Sequence, residues 1–246
     1  MHLLTLFKAG ETLSHLVHSH GDFEDWILDG LGIKKAQAEI IAIHQNLPLP
    51  EPSQVRGLMI TGSHTPVADH RPWAEETAAW LKAAVQEGVP ILGICFGHQL
   101  LAYALGGSVE ETPAGPEFGT IKISLMGAGA ADPLFGDVPG HFFVQSAHYQ
   151  SVVRLPDAAV PLAASARDPH AAFRIGNLAY GVQFHPEFKP EISAAYIQEN
   201  VQRIQIAGDD PADLLQNCRQ TPAGQRILTN FLELVQQNAR GSAGQG

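Results

Sequence analysis

The chain has few cysteines, few cations and no long apolar run, and each shortage removes a class of protein. Cys95 and Cys218 are the only two cysteines in 246 residues, and they lie far apart. They do not form the dense framework of a small oxidised scaffold, so a reducing compartment is expected. Lys and Arg number 15 against 25 Asp and Glu, a formal net charge of −10. Nucleic-acid binding needs clustered cations to neutralise phosphates, and this balance argues against it. Acidity favours solubility and by itself names no partner. No stretch is apolar for long enough to span a bilayer, and no basic segment leads into an apolar signal core. The expectation is a cytoplasmic chain with no membrane contact. A Gly-x-x-x-x-Gly-Lys phosphate loop is also missing, so no synthetase is expected within the chain.

What is present is a sequence 45% hydrophobic, ordinary for a protein with a well-buried core. Apolar segments at 2–7, 38–43 and 57–61 read as strands, with a polar, mostly helical stretch at 11–31 and a Pro-rich loop at 48–52. Apolar residues at helical spacing predict a surface helix over 73–87, and Trp73 and Trp80 lie on one face of it, where core packing is the favoured role. Gly106 and Gly107 stop a second helix over 99–105. Strands separated by helices and short loops imply a largely parallel sheet covered by helices. Beyond Ser108 the texture changes to short strands at 109–111, 120–125, 141–145, 160–165, 171–175 and 178–184. Helices are expected at 191–207 and 224–239. No linker or internal repeat divides the chain, so residues 1–240 read as one domain and 241–246 as a small, polar, flexible tail.

The most informative stretch is Pro90-Ile91-Leu92-Gly93-Ile94-Cys95-Phe96-Gly97-His98-Gln99. An apolar strand ends in a cysteine flanked at two residues' distance by glycines, and a helix pattern follows at once. This is the layout of a nucleophile elbow, a tight turn that lifts the reactive side chain out of a sheet. A sulfur over a helix N-terminus is favoured as thiolate by the free amides there. The plain alternative is an inert core cysteine.

A nucleophilic cysteine needs a base and a group that orients the base. Gly181-Val182-Gln183-Phe184-His185-Pro186-Glu187 offers both. Pro186 ends the strand after His185, and Glu187 can turn back to hold one ring nitrogen while the other faces Cys95. Attack on an amide also requires donors for the oxyanion. The Phe96 amide follows the nucleophile directly. Thr61-Gly62-Ser63-His64, at the end of a neighbouring strand, supplies Gly62 for the second donor.

Together these pieces resemble the class I (triad) glutamine amidotransferases, in the stand-alone, GMP-synthase-like branch. Gly93-Ile94-Cys95-Phe96-Gly97-His98-Gln99 is similar to the family's Gly-x-Cys-x-Gly-x-Gln signature. Ile60-Thr61-Gly62-Ser63, Val67-Ala68-Asp69 with Trp73, and Glu117-Phe118-Gly119 also resemble family segments. The resemblance covers 57–107, returns at 147–156 and is sharp again at 181–188. It implies a three-layer α/β fold, flavodoxin-like, with a mostly parallel central sheet flanked by helices and a small added β element. It implies a Cys95-His185-Glu187 triad, an oxyanion hole at Gly62 and Phe96, and substrate contacts at Ser63, Gln99, His148 and Tyr149. No metal or cofactor is implied. Tyr149 stands where the family often has Gly, and Ser63 where many members carry a second Gly.

The implied reaction releases ammonia from glutamine through a γ-glutamyl thioester, for an acceptor on a separate synthetase. Another γ-glutamyl amide, cleaved by a stand-alone γ-glutamyl hydrolase or peptidase with the same triad, is the alternative. A non-catalytic binding protein on this fold is disfavoured because Cys95, His185 and Glu187 are all present. His15, His18, His20, Asp22, Glu24 and Asp25 cluster in sequence, but their spacing fits no standard zinc pattern, and a solvated helix is the expected role. Cys218, in a polar setting, reads as an unremarkable surface or half-buried thiol.

Overall fold

A computed structural model describes residues 2–243. The chain opens with β1 (Leu4–Lys8), then α1 (Ser14–His20), α2 (Phe23–Leu31), β2 (Ala38–Ala42), β3 (Leu58–Ile60), α3 (Pro72–Gln86), β4 (Ile91–Ile94) and α4 (Phe96–Ala104). A β-rich section follows: β5 (Ser108–Glu111), β6 (Glu117–Leu125), β7 (His141–His148), β8 (Gln150–Arg154), β9 (Ala159–Ala164), β10 (Ala172–Ile175) and β11 (Ala179–Val182). Helices α5 (Pro190–Glu199), α6 (Val201–Ile206), α7 (Pro211–Asn217) and α8 (Pro222–Ala243) close the described chain.

Among the described residues, nine strands form one sheet in the order β2-β1-β3-β4-β11-β10-β9-β6-β7. The α/β expectation holds, with one refinement. The run from β2 to β11 is parallel, and the run from β11 to β7 is antiparallel. Strands β5 and β8 pair separately as the small added β element. Alternation along the parallel strands divides the core in two. Leu4, Leu6, Met59, Leu92 and Ile94 pack with Ile27, Leu28, Leu228 and Phe231 of α2 and α8. Phe7, Leu58, Ile60 and Ile91 pack with Trp73, Ala78, Phe96 and Leu100 of α3 and α4. The sheet is therefore the middle of three layers. Trp73 and Trp80 do pack inward, against Phe96 and Phe7.

The expected helix over 11–31 is two helices, because Gly21 at φ 82° breaks the path and Asp22 caps a fresh start with a capping box to Asp25. The expected helix over 191–207 is likewise two, divided at Asn200, and β8 and α7 had no counterpart in the sequence reading. Helix α8 continues through Gly241 to Ala243, into the stretch expected to be tail; residues 244–246 lie outside the described residues. No helix among the described residues is long and apolar enough to cross a membrane.

Candidate active site

Three neighbouring parallel strands, β3, β4 and β11, end side by side, and the chemistry sits just past their carboxyl ends. The register pairs Gly93 with Gly181 and Ile94 with Val182, and the Cys95 N–H donates to the Val182 carbonyl at 2.9 Å. Cys95 follows β4 directly and His185 lies three residues beyond β11, so the ladder itself brings them together.

Cys95 has φ 51° and ψ −101°, a strained conformation for a residue with a side chain. It precedes α4, so its side chain lies where the first helical amides are unpaired. Both flanking glycines are required by close approach. A Cβ at Gly93 would run into the Gly97 carbonyl, and one at Gly97 would lie 2.6 Å from the Ile60 carbonyl oxygen. These contacts press α4 onto β3 and β4 and hold the turn shut.

His185 is buried and donates from Nδ1 to Glu187 Oε1 at 2.7 Å. Nε2 is thereby left for Cys95, which lines the same cavity as the ring. Burial disfavours the imidazolium, but the Glu187 carboxylate and the Cys95 sulfur outweigh it and push His185 up to about 10. The ring stacks on Phe188 at 3.8 Å between centroids, with Phe23 stacked further off at 6.2 Å. Its backbone is tied down as well, since the His185 N–H donates to Gln145 of β7 at 2.8 Å.

Gly62 follows β3 at the same end of the sheet. A Cβ there would lie 3.0 Å from His185 Cε1 and 3.2 Å from Phe23, so a side chain would press on the imidazole. Among the described residues neither the Gly62 nor the Phe96 N–H meets a backbone acceptor, which leaves both available to an oxyanion.

A cavity of about 50 Å³ adjoins the sulfur, lined in part by Ser63, His64, Cys95, Tyr149, His185, Tyr196 and Asn200. Of the four residues expected to contact substrate, Ser63 and Tyr149 line this cavity. Gln99 and His148 stand behind the wall. The Gln99 amide donates to the Gln150 carbonyl at 2.9 Å and to Gln183 Oε1 at 3.1 Å. His148 Nδ1 donates to the same Gln150 carbonyl at 2.9 Å, while Nε2 lies 3.3 Å from Glu117, its cross-strand partner on β6. Both residues hold the strand behind Tyr149 in place. His98, in the same motif as Gln99, is buried against Phe173 and Gly181; burial lowers it to about 3, so it stays neutral and packs.

Sequence reasoning missed Phe23, Tyr196 and Asn200, which form the roof. Leu16, Phe23, Trp26, Phe188, Ile192 and Tyr196 make a separate apolar cluster above the triad. The Tyr196 hydroxyl pairs with Thr12 Oγ1 at 2.9 Å and meets His64 Nε2 at 3.3 Å, and its ring stacks on His64. Burial and the nearby His185 lower the His64 pKa. No motif flags residues 11–32 or 189–221; the only trace of the roof in the sequence is helical spacing of Phe23, Trp26, Ile192 and Tyr196. His15, His18 and His20 are exposed and the bonds of their segment stay local. Asp22 and Glu24, expected on a solvated helix, are instead buried and pair with Lys8, because the start of α2 packs against the end of β1. No group of three or more His, Cys, Asp or Glu that could hold a metal ion occurs among the described residues. Cys218 is half-buried, as its setting suggested.

Comparison with known proteins adds independent findings. The family model described as glutamine amidotransferase class-I matches residues 15–203. A GMP synthase (glutamine-hydrolyzing) of Aeropyrum pernix is 41% identical over 115 residues, which is 47% of this chain and 21% of that protein. A GMP synthase of Leifsonia xyli is 38% identical over 143 residues, 56% of this chain and 28% of the relative. The chain therefore spans about a quarter of those full-length relatives. In Saccharolobus solfataricus, one subunit of a GMP synthase (glutamine-hydrolyzing) is 31% identical over 175 residues, 71% of this chain and 88% of that relative. The crystal structure of a glutamine amidotransferase from Thermotoga maritima superposes with TM-score 0.74 at 20% identity, covering 96% of this chain and 98% of that one. At that identity the likeness speaks for the fold.

Proposed function

The chain belongs to the class-I glutamine amidotransferase family, and from that premise we propose that it hydrolyses the γ-amide of glutamine and supplies the ammonia to a separate synthetase. The observation that carries this reading is the buried line from Glu187 through His185 to a strained Cys95 at a helix N-terminus. An imidazolium held by Glu187 beside the Cys95 sulfur is the state that this line favours.

In the first half-reaction the Cys95 sulfur attacks the γ-amide carbon and a carbon–sulfur bond forms. The Gly62 and Phe96 amides receive the oxyanion, each worth ~3 kcal/mol of barrier. As the tetrahedral species collapses, the carbon–nitrogen bond breaks and His185 gives its proton to the leaving nitrogen, releasing ammonia. A γ-glutamyl thioester remains. His185, now neutral, takes a proton from water; the hydroxide adds to the thioester, the carbon–sulfur bond breaks, and glutamate and the thiolate are released. Glu187 keeps the imidazole in the required tautomer and stabilises its charged form.

An outer cleft of about 640 Å³ shares Ser63 and His64 with the catalytic cavity. It supports an exit for ammonia towards a partner. The same room favours a second reading, hydrolysis of a γ-glutamyl amide with a larger leaving amine. The partnered synthetase stays first because the Saccharolobus relative, most of which the chain covers, is by name one subunit of a GMP synthase.

Treatment with a diazo-ketone analogue of glutamine, read by intact mass, tests the reading. One adduct on the wild type and none on Cys95→Ala is expected; an unlabelled wild type overturns glutamine chemistry at this cysteine. Rates on glutamine and on larger γ-glutamyl amides, with and without an added synthetase, then separate the two readings.

A further inference from the structure

A γ-glutamyl group bound to Cys95 carries its own charges, an α-ammonium and an α-carboxylate on the carbon three bonds from the reacting one. Taking such a pair out of water requires counter-charges at the wall that receives it. Most charges around the cavity are already committed. Glu187 is held by His185, and Asp22 and Glu24 by Lys8 at 2.7 and 3.0 Å. Glu117 accepts from Ser165 and meets His148, and Arg167 is forked onto Asp209.

Two opposite charges at the mouth are uncommitted among the described residues. Both sit at the break between α5 and α6, whose middle residue, Asn200, lines the cavity. Arg203 lies with its guanidinium 3.8 Å from the centre of the Tyr149 ring, itself part of the lining, and has no carboxylate within ion-pair distance. Glu199 is exposed, ends α5 and directly precedes the lining residue Asn200. A planar, stacked guanidinium keeps its donor edge free for a carboxylate, which a lysine could not present in the same way.

We propose that Arg203 binds the α-carboxylate of the glutamyl substrate, with Glu199 facing its α-ammonium, so that the α5–α6 break selects α-amino-acid γ-amides. This rests on the glutamine reading above and deepens it, because the selecting groups come from a segment outside the triad motifs. A stacked Arg203 also explains why Tyr149 is useful where a glycine is common in the family: its ring is the shelf on which the guanidinium rests.

The test measures kcat and KM for L-glutamine, for its α-amide (carboxylate masked) and for its desamino analogue. The wild type is expected to prefer glutamine over both. Arg203→Gln lowers the preference for glutamine over the α-amide about tenfold, mainly through KM, as expected for one charge-assisted contact. Glu199→Gln acts in the same way on the preference over the desamino analogue. Arg226→Gln, on the far surface beside Asp137, serves as the control that leaves both ratios in place. A merely structural Arg203 slows glutamine and α-amide together, and an unchanged ratio overturns the proposal. Labelling of Cys95 by the diazo-ketone with unchanged ratios defeats only this assignment; an unlabelled, inactive wild type defeats the glutamine reading and this one with it.

Discussion

The carboxyl ends of β3, β4 and β11 and the roof above them are built by different forces. Below, Cys95, His185 and Gly62 are placed by backbone: a parallel register, a Cys95–Val182 hydrogen bond and the contact of Gly97 with Ile60. Above, Phe23, Tyr196 and Asn200 are placed by side chains, through an apolar cluster and the hydroxyl of Tyr196. Backbone placement tolerates little change, since no rotamer can relieve a clash with a carbonyl. Side-chain placement can be rebuilt by other apolar residues of similar volume. The lesson is a division of labour, in which the rigid sheet end carries bond-making and the repackable roof is free to set what enters.

This contrast can be broken by experiment, starting where the effect is largest. Cys95→Ala should lower glutamate release about a thousandfold or more while the protein stays folded, checked by coupled assay and circular dichroism. Glu187→Gln should lower kcat by about a hundredfold. It should also change the pH dependence of stability. His185 is raised in the fold to about 10 from an ordinary value near 6.5, so the native state holds the extra proton more tightly. That contribution is complete below about 6.5 and is lost as the pH climbs to about 10. Urea unfolding across that range should show the decline in the wild type and a flatter curve in Glu187→Gln.

Gly93→Ala sharpens the comparison from the structural side. Its Cβ meets the Gly97 carbonyl, and overpacking of this kind costs about 1–3 kcal/mol in denaturant unfolding. Tyr196→Phe keeps the ring and loses the bonds to Thr12 and His64, so about 1 kcal/mol of stability and a several-fold rise in KM are expected, with kcat nearly kept. A loss of kcat as deep as that of Glu187→Gln would erase the distinction between sheet end and roof. The smallest effect is expected at His18, exposed on α1. His18→Ala should move stability by less than about 0.5 kcal/mol, and a chelator should leave Tm unchanged.

The amino-acid sequence alone was enough for the elbow, the His185-Pro186-Glu187 turn, the Gly62 loop and the parallel half of the sheet. Each depends on local signals a few residues long: period-two apolar strands, glycines where backbones must touch, a proline that ends a strand. It did not disclose that Gln99 and His148 serve the wall, because what a polar side chain meets depends on strands brought up from elsewhere, here the Gln150 carbonyl and Glu117. Nor did it reveal the roof. Leu16, Phe23, Ile192 and Tyr196 look like any apolar helix face, and only the folded chain decides which face covers which site. Register and turns are written in neighbouring residues, whereas packing partners far apart in sequence are chosen by the three-dimensional closure of the chain, which in this protein sets who sits above Cys95.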